Sequence, residues 1–399
     1  MRPPLSSVLL DRAVGWRQGV VSRLQPTPPS LSDVDIPGFA AIPDPSATGG
    51  TSGGAGFDAE SARLAALAEA LERHAATRCP LETTDADGPR WDLDEFTLHS
   101  ADQRSRNDFP YAGYENPGYT TAWTLPDNEP IQVPAGLISL DARHGLPATS
   151  SGLAAGPSAT AALVSAVSEI VERDALATVW LHGLAPARIP LPDRLTEPVR
   201  ALGGDITAFD LTPAYSPYPV AAIAGTLPVA GELRPTFGLA CRATWADAVD
   251  KAWLEWCQGT VFIRVWLAGD DTASRRPDEV TDFDRHAVYY ARALDAWADL
   301  PLWTGENKEP PPDAAEPGLR PFIDALTQAG VRLAYRDLTT PELSAVGLRC
   351  VRALSPDLTP LHADHRWPNL GGRARELSWR YPDLVSRTGF PSPYPHPLG

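Results

Sequence analysis

The sequence predicts an α/β (α+β) protein with mixed or antiparallel sheets in an internally duplicated frame. Three observations carry that prediction. Strand-like and helical stretches alternate along the chain. Two helical stretches each follow a Gly-rich turn and repeat one acidic signature: Glu69, Glu72 and Arg73 in the first, Glu169, Glu172 and Arg173 in the second. A third helical stretch carries a related pair, Glu255 and Gln258. Such repetition marks a duplicated architecture.

Residues 150–180 are the centre of the pattern. Gly152 and Gly156 make a turn, and Pro157 stands where a helix begins and its missing N–H is not needed. Val164, Val167, Ile170, Val171 and Leu176 then recur at helical spacing. Ser158, Ala162, Ser165, Glu169 and Glu172 fall on another face, where small residues leave room for two carboxylates. One Glu-x-x-Glu pair is usually a solvated helix face. Four carboxylates on two helices do not converge without a counter-charge, because each unpaired buried ion costs several kcal/mol. Mg²⁺ supplies that charge and shares its remaining positions with water and phosphate oxygens. These residues predict a Mg–nucleotide site between paired helices.

The other elements follow in order. Residues 14–24 read as a short strand or hairpin ahead of a Pro-rich lead-in. Residues 36–60 read as loop, with Gly53, Gly54 and Gly56 as a phosphate-facing turn. Residues 60–78 form the first acidic helix, and residues 81–110 read as polar surface. Residues 119–140 read as a hairpin about Pro126, Asp127 and Asn128. Residues 206–229 offer two strands broken by Pro213, Pro217 and Pro219, and residues 246–267 a helix whose tryptophans belong to the core. Residues 268–320 read as an excursion with one helix near 286–299. Residues 331–338 and 345–354 read as two strands. His362 and His365 form an HxxH, read as ordinary surface or loop histidines.

Composition bounds the rest. At 399 residues the chain is long enough for one large core or two domains. Its 42 prolines beside a 43% hydrophobic content argue fixed turns, not disorder. The net charge of −16 disfavours nucleic acid and anionic membrane as partners. Cys79, Cys241, Cys257 and Cys350 show no CxxC or zinc spacing and read as structural thiols. No segment reads as a signal peptide or membrane span, so the cytoplasm is the expected compartment. No GxSxG, Walker or kinase signature occurs.

With these motifs in view, the chain resembles the YcaO family of ATP-dependent enzymes that modify peptide backbones. SSGLAAG…SExxERDA…W is similar to the family's SNGxAxG…ExxERDA…W, and GGAGFDAESARLAALAEALER to its GGKG…SAxxExxER. The resemblance covers essentially the whole chain, with three motifs in the family's order. Departures are Ala55 for the family's Lys, Ser151 for its Asn, and no Arg four residues after Gln258, the nearest being Arg264. The resemblance implies Glu69, Glu72, Glu169 and Glu172 as Mg²⁺ ligands, and Arg73, Ser151, Arg173, Glu255 and Gln258 as the ATP site. Arg366 falls in another segment that matches the family.

The resemblance implies a cyclodehydratase. A Cys, Ser or Thr side chain of a ribosomal precursor peptide attacks the preceding carbonyl, ATP phosphorylates the oxygen, and phosphate leaves a thiazoline or oxazoline. The final residues, with Pro391, Pro393, Pro395 and Gly399, form a PxPxP tail typical of the azoline-forming branch. That tail is expected to fold back beside the active site. The expected division is residues 1–45 as lead-in, 46–390 as catalytic domain and 391–399 as tail. Residues 1–50 are too few for a fused leader-binding domain, so a partner protein or the enzyme itself receives the peptide. The family implies a homodimer. Amidine- or thioamide-forming chemistry and a non-catalytic accessory role are the competing readings.

Overall fold

A computed structural model describes residues 10–16, 19–28, 34–43, 50–83, 88–115, 117–146, 149–269 and 275–399. Three antiparallel sheets organise it. The first has the order β1 (Val21–Pro26), β2 (Gly38–Pro43), β3 (Ser52–Ala55). The second is five-stranded, with β5 (Pro130–Pro134), β4 (Tyr119–Leu125), β11 (Leu333–Asp337), β12 (Arg349–Leu354) and β6 (Leu153–Gly156) in that spatial order. The third runs β10 (Glu232–Cys241), β9 (Val220–Val229), β8 (Asp205–Asp210), β7 (Ala187–Ile189). The α/β class and the antiparallel sheets match the sequence reading.

The helices of eight residues or more are α1 (Ala59–Arg78), α2 (Ala159–Leu181), α3 (Asp193–Ala201), α4 (Trp245–Gly269), α5 (Phe283–Arg292) and α6 (Leu319–Gln328). Three of them follow a strand almost directly: β3 leads into α1, β6 into α2, β10 into α4. Each packs on the sheet of its own strand, and each also touches the strand of another unit: α1 meets β6, α2 meets β10, α4 meets β3. Backbone proximity at these crossings needs glycine. A Cβ on Gly54 would meet the backbone N of Ala66 at 2.2 Å, and one on Gly238 the carbonyl of Ala252 at 2.0 Å. α2 is buried on nearly all sides, which its apolar stripe alone did not require.

Four expectations are corrected. Residues 36–60 hold β2 and β3, because Ala40 pairs with Gly53 and Phe39 with Gly54 in a ladder that the glycine content concealed. Residues 81–110 are not all surface: Trp91, Leu93, Phe96 and Leu98 are buried with α1 and β12 in one core cluster. The excursion at 268–320 carries α5 and a short helix, Leu294–Ala298, with the break at Ala293. His362 is buried, because the C-terminal tail packs over it.

One buried ion pair ties α2 to the C-terminal third. Asp174 and Arg380 are both 0% exposed and meet at 2.8 Å. The Tyr215 hydroxyl donates to Asp174 at 2.6 Å and the Thr359 N–H at 2.7 Å. Arg380 also donates to the carbonyls of Asp357, Arg373 and Glu376. Removing one partner strands a buried charge, so Asp174→Ala should lose about 3–5 kcal/mol in chemical denaturation. A loss below about 1 kcal/mol would show that the pair does not hold this junction.

Candidate active site

The three strand–helix units use one local grammar. Each helix starts at an oxygen-bearing N-cap. Asp58 accepts from the Ser61 N–H at 2.8 Å, Ser158 from Ala161 at 3.2 Å, and Thr244 from Asp247 at 3.1 Å. Eleven residues after each cap stands a glutamate: Glu69, Glu169, Glu255. Eleven residues is about three turns, so the acid lies on the same helix face as the cap. Three residues further stand Glu72, Glu172 and Gln258, on the same side.

Those later side chains bind the units into a ring. Glu72 accepts from the Ala155 N–H of β6 at 2.9 Å. Glu172 accepts from the Cys241 N–H of β10 at 3.0 Å. Gln258, with its amide oriented by its neighbours, accepts from Gly54 at 3.2 Å and Ala55 at 3.3 Å on β3. Each unit thus fastens itself to the strand of the next, and all six acid or amide groups face one cleft of about 590 Å³. That volume lies in the usual range of small-molecule sites, roughly 300–1,000 Å³.

The cleft carries more carboxylate than its cations offset. Arg73 pairs with Glu69 at 2.8 Å and Lys251 with Glu255 at 3.0 Å. Arg173 is shared, 3.4 Å from Glu169 and 3.7 Å from Glu172. Glu72 makes no ion pair among the described residues. Burial, and then the nearby Glu169, hold the Glu72 carboxyl well above its ordinary range. Burial likewise raises Glu69 and Glu169, and pushes Glu172 up to about 8. Glu255 moves the other way, because Lys251 and Arg173 outweigh its burial. Arg173 keeps one buried nitrogen, Nη1, without a hydrogen-bond partner. This chemistry fits a hard cation with an anionic ligand: oxygen donors in excess of positive charge, and an unused guanidinium N–H beside them.

Of the residues singled out in sequence, Glu69, Glu72, Glu169, Glu172, Arg73, Arg173, Glu255 and Gln258 all line this cleft. Ser151 does not. It opens with Arg173 and Arg352 onto a smaller neighbouring cavity of about 70 Å³, and Ser150 lines the cleft in its place. The tail folds back as expected, and Pro397, Leu398 and Gly399 reach the cleft. Pro391 and Pro393 remain exposed, while the buried Pro395 accepts from the Tyr290 hydroxyl at 2.6 Å through its carbonyl. Arg366 pairs with Asp364 and is not among the cleft residues. Sequence reasoning missed Arg242 and Lys251, which line the cleft. Their signal was position: Arg242 lies between the end of β10 and the Thr244 cap, and Lys251 one turn before Glu255.

Fold and cleft together set an oxygen-rich, acid-excess site among three similar strand–helix units. The family profile described as YcaO cyclodehydratase, ATP- and Mg²⁺-binding, matches residues 53–359, and the chain belongs to the YcaO family. The family is described as ATP- and Mg²⁺-binding, and ATP and Mg²⁺ are its cofactors. Among solved structures it is similar to a heterocyclase in complex with substrate and cofactor. The TM-score is 0.72 at 19% identity, over 96% of this chain and 56% of that one, so the chain spans little more than half that heterocyclase. It is similar to YcaO from Methanopyrus kandleri bound with AMPPCP and Mg²⁺, with TM-score 0.66, 20% identity and 90% of each chain covered. It is also similar to a chain of the E. coli microcin synthetase McbBCD complex, with TM-score 0.63 and 17% identity over 88% of this chain and 92% of that one. No match was found among curated proteins. Among the described residues, no helix is long and apolar enough to cross a membrane.

Two predictions follow from the charge balance. Glu72→Gln and Glu169→Gln should each lower Mg-dependent ATP affinity at least about tenfold in calorimetric titration, a loss of about 1.4 kcal/mol or more. Wild-type affinity in both would contradict the cleft. Second, the folded-state value of Glu172 lies above its ordinary 4.5. Without metal, its contribution to stability is present at low pH and declines as pH rises towards about 8. Thermal melting should show that decline in wild type, and Glu172→Gln should reduce it. An identical pH profile in the variant would contradict the assignment.

Proposed function

We propose that this enzyme converts Cys, or Ser and Thr, residues of a ribosomally made precursor peptide into thiazolines or oxazolines, in natural-product biosynthesis. The observation that carries the reading is one cleft holding the carboxylate ring, an Arg173 nitrogen that makes no hydrogen bond, and the end of the PxPxP tail. The side-chain S–H or O–H adds to the preceding carbonyl, losing its proton. The oxygen so formed takes the γ-phosphoryl group of ATP, releasing ADP. Phosphate then departs as the amide nitrogen loses its proton, leaving a C=N bond.

In this reading Glu69, Glu72, Glu169 and Glu172 hold Mg²⁺, which when bound offsets phosphate charge. Arg173 donates its spare N–H to phosphate oxygens. Arg73, Glu255 and Gln258 keep the ring in register, Gln258 by gripping β3. Ser151 borders the smaller cavity next to Arg173. Pro391, Pro393 and Pro395 fix the path of the tail, and Gly399 contributes its end to the cleft wall. The chain's own thiols are poor nucleophiles: Cys241, Cys257 and Cys350 are buried, Cys79 is half-buried, and burial pushes each thiol up. That supports a nucleophile carried by the peptide. A partner that delivers the peptide is part of the proposal. The heterocyclase relative is a complex with substrate, and McbBCD is a multi-protein complex.

The test is isotopic. A candidate precursor labelled with ¹⁸O at the carbonyl before its Cys should lose one water per ring, with the label recovered in phosphate. Label retained in a modified peptide, or ATP consumed with no peptide change, would overturn the reading. Removing residues 397–399 should lower kcat more than ATP affinity; an unchanged kcat would exclude the tail from the reaction.

A further inference from the structure

Three histidines from distant parts of the chain meet in the interior: His286 on α5, His362 after β12, and His396 in the tail. They are 0%, 8% and 2% exposed. The rings of His286 and His396 stack at 3.7 Å, and His362 stands edge-on to both, at 5.5 and 5.0 Å between centroids. One ring nitrogen from each lies within 4.8 Å of the other two.

The hydrogen bonds fix what these nitrogens can do. His286 Nδ1 lies 2.9 Å from the His396 carbonyl, and His396 Nε2 lies 2.8 Å from the His362 carbonyl. A carbonyl only accepts, so each of these nitrogens carries the proton. That leaves lone pairs on His286 Nε2 and His396 Nδ1; neither atom completes a hydrogen bond, although the Ala363 backbone lies beside His286. Both nitrogens of His362 are also buried and unpartnered. Three buried imidazoles therefore present unpartnered nitrogens in one small space, and burial keeps all three rings neutral. Unpartnered buried nitrogens in such number call for a ligand. A backbone carbonyl on the far nitrogen is also the outer-shell arrangement that orients metal-bound histidine.

We propose that His286, His362 and His396 form a transition-metal site, for zinc or a similar borderline divalent ion, that clasps the C-terminal tail against α5. Imidazole donors select zinc, cobalt, nickel or copper over Mg²⁺, so this centre is chemically separate from the carboxylate cleft. Three nitrogens bound to one zinc sit about 3.4 Å apart with the ion in each ring plane, so binding turns His396 out of its stack on His286, and water is the fourth ligand. His365 lies just outside it, its Nε2 3.1 Å from the Pro393 carbonyl. The ion joins a helix, a loop and the tail immediately before Pro397, Leu398 and Gly399 enter the cleft. It makes the tail's seat depend on a metal other than Mg²⁺.

The test uses the full chain, stripped of metal and titrated with Co²⁺ and with Zn²⁺ in millimolar Mg²⁺, which keeps the carboxylates occupied. Wild type should take up one ion per chain, with the intense visible bands of four-coordinate Co²⁺. His396→Gln and removal of residues 396–399 should each weaken uptake at least about tenfold. Circular dichroism identifies any variant that fails to fold, and the tail truncation leaves α5 and its sheet contacts in place. No uptake by wild type at micromolar metal, or uptake unchanged in both folded variants, would overturn the site. The readout is metal content, so it stands whether or not a peptide is ever cyclised.

Discussion

The structure turns on an electrostatic constraint: too many carboxylates share one low-dielectric space. Glu69, Glu72, Glu169, Glu172 and Glu255 converge with Arg73, Arg173 and Lys251 as their nearest cations. Burial of such a set is unfavourable unless each oxygen has a donor or a cation. The ring of contacts from Glu72 to β6, Glu172 to β10 and Gln258 to β3 satisfies part of that demand with backbone N–H groups. In the proposed function the remaining oxygens are left for a divalent ion. Burial first, and neighbouring carboxylates after it, raise four of the five acids.

The Glu-x-x-Glu-Arg-Asp run on α2 divides its labour by helix geometry. Glu169 faces the cleft, Glu172 faces it while gripping β10, and Arg173 neutralises both in part. Asp174 points into the core and locks Arg380. One turn and a half of helix thus serves ligand binding, unit closure and anchorage of the C-terminal third. Rigidity of that turn is what a positioning enzyme needs, because a misplacement of about an ångström is expensive in rate. Near-complete burial of α2 supplies it.

Most of this was legible in sequence because its signals were local and periodic. The acidic helices, the hairpin about Pro126–Asn128 and the strands after residue 331 each carry their own spacing or turn chemistry. So did the six acid and amide positions. What sequence hid was non-local. Strand β3 is four residues of Ser, Gly and Ala whose identity as a strand comes from pairing with β2. Ser151 stands one residue from the cleft, a distinction no motif resolves. The order in which the units close, and Arg242 beside the Thr244 cap, depend on which strand each helix crosses. His362 reads as a loop histidine until α5 and the tail bring His286 and His396 against it.

The account's central claim is that the carboxylate ring is a metal–nucleotide seat and not a structural ion network. The most direct measurement is anomalous diffraction from crystals grown with Mn²⁺ in place of Mg²⁺ and a non-hydrolysable ATP analogue. The account predicts manganese peaks between α1 and α2, within coordination distance of Glu69, Glu72, Glu169 or Glu172, with phosphate oxygens on the far side facing Arg173. Nucleotide bound with its metal elsewhere, and the four glutamates paired only with arginine, lysine and backbone, would contradict it.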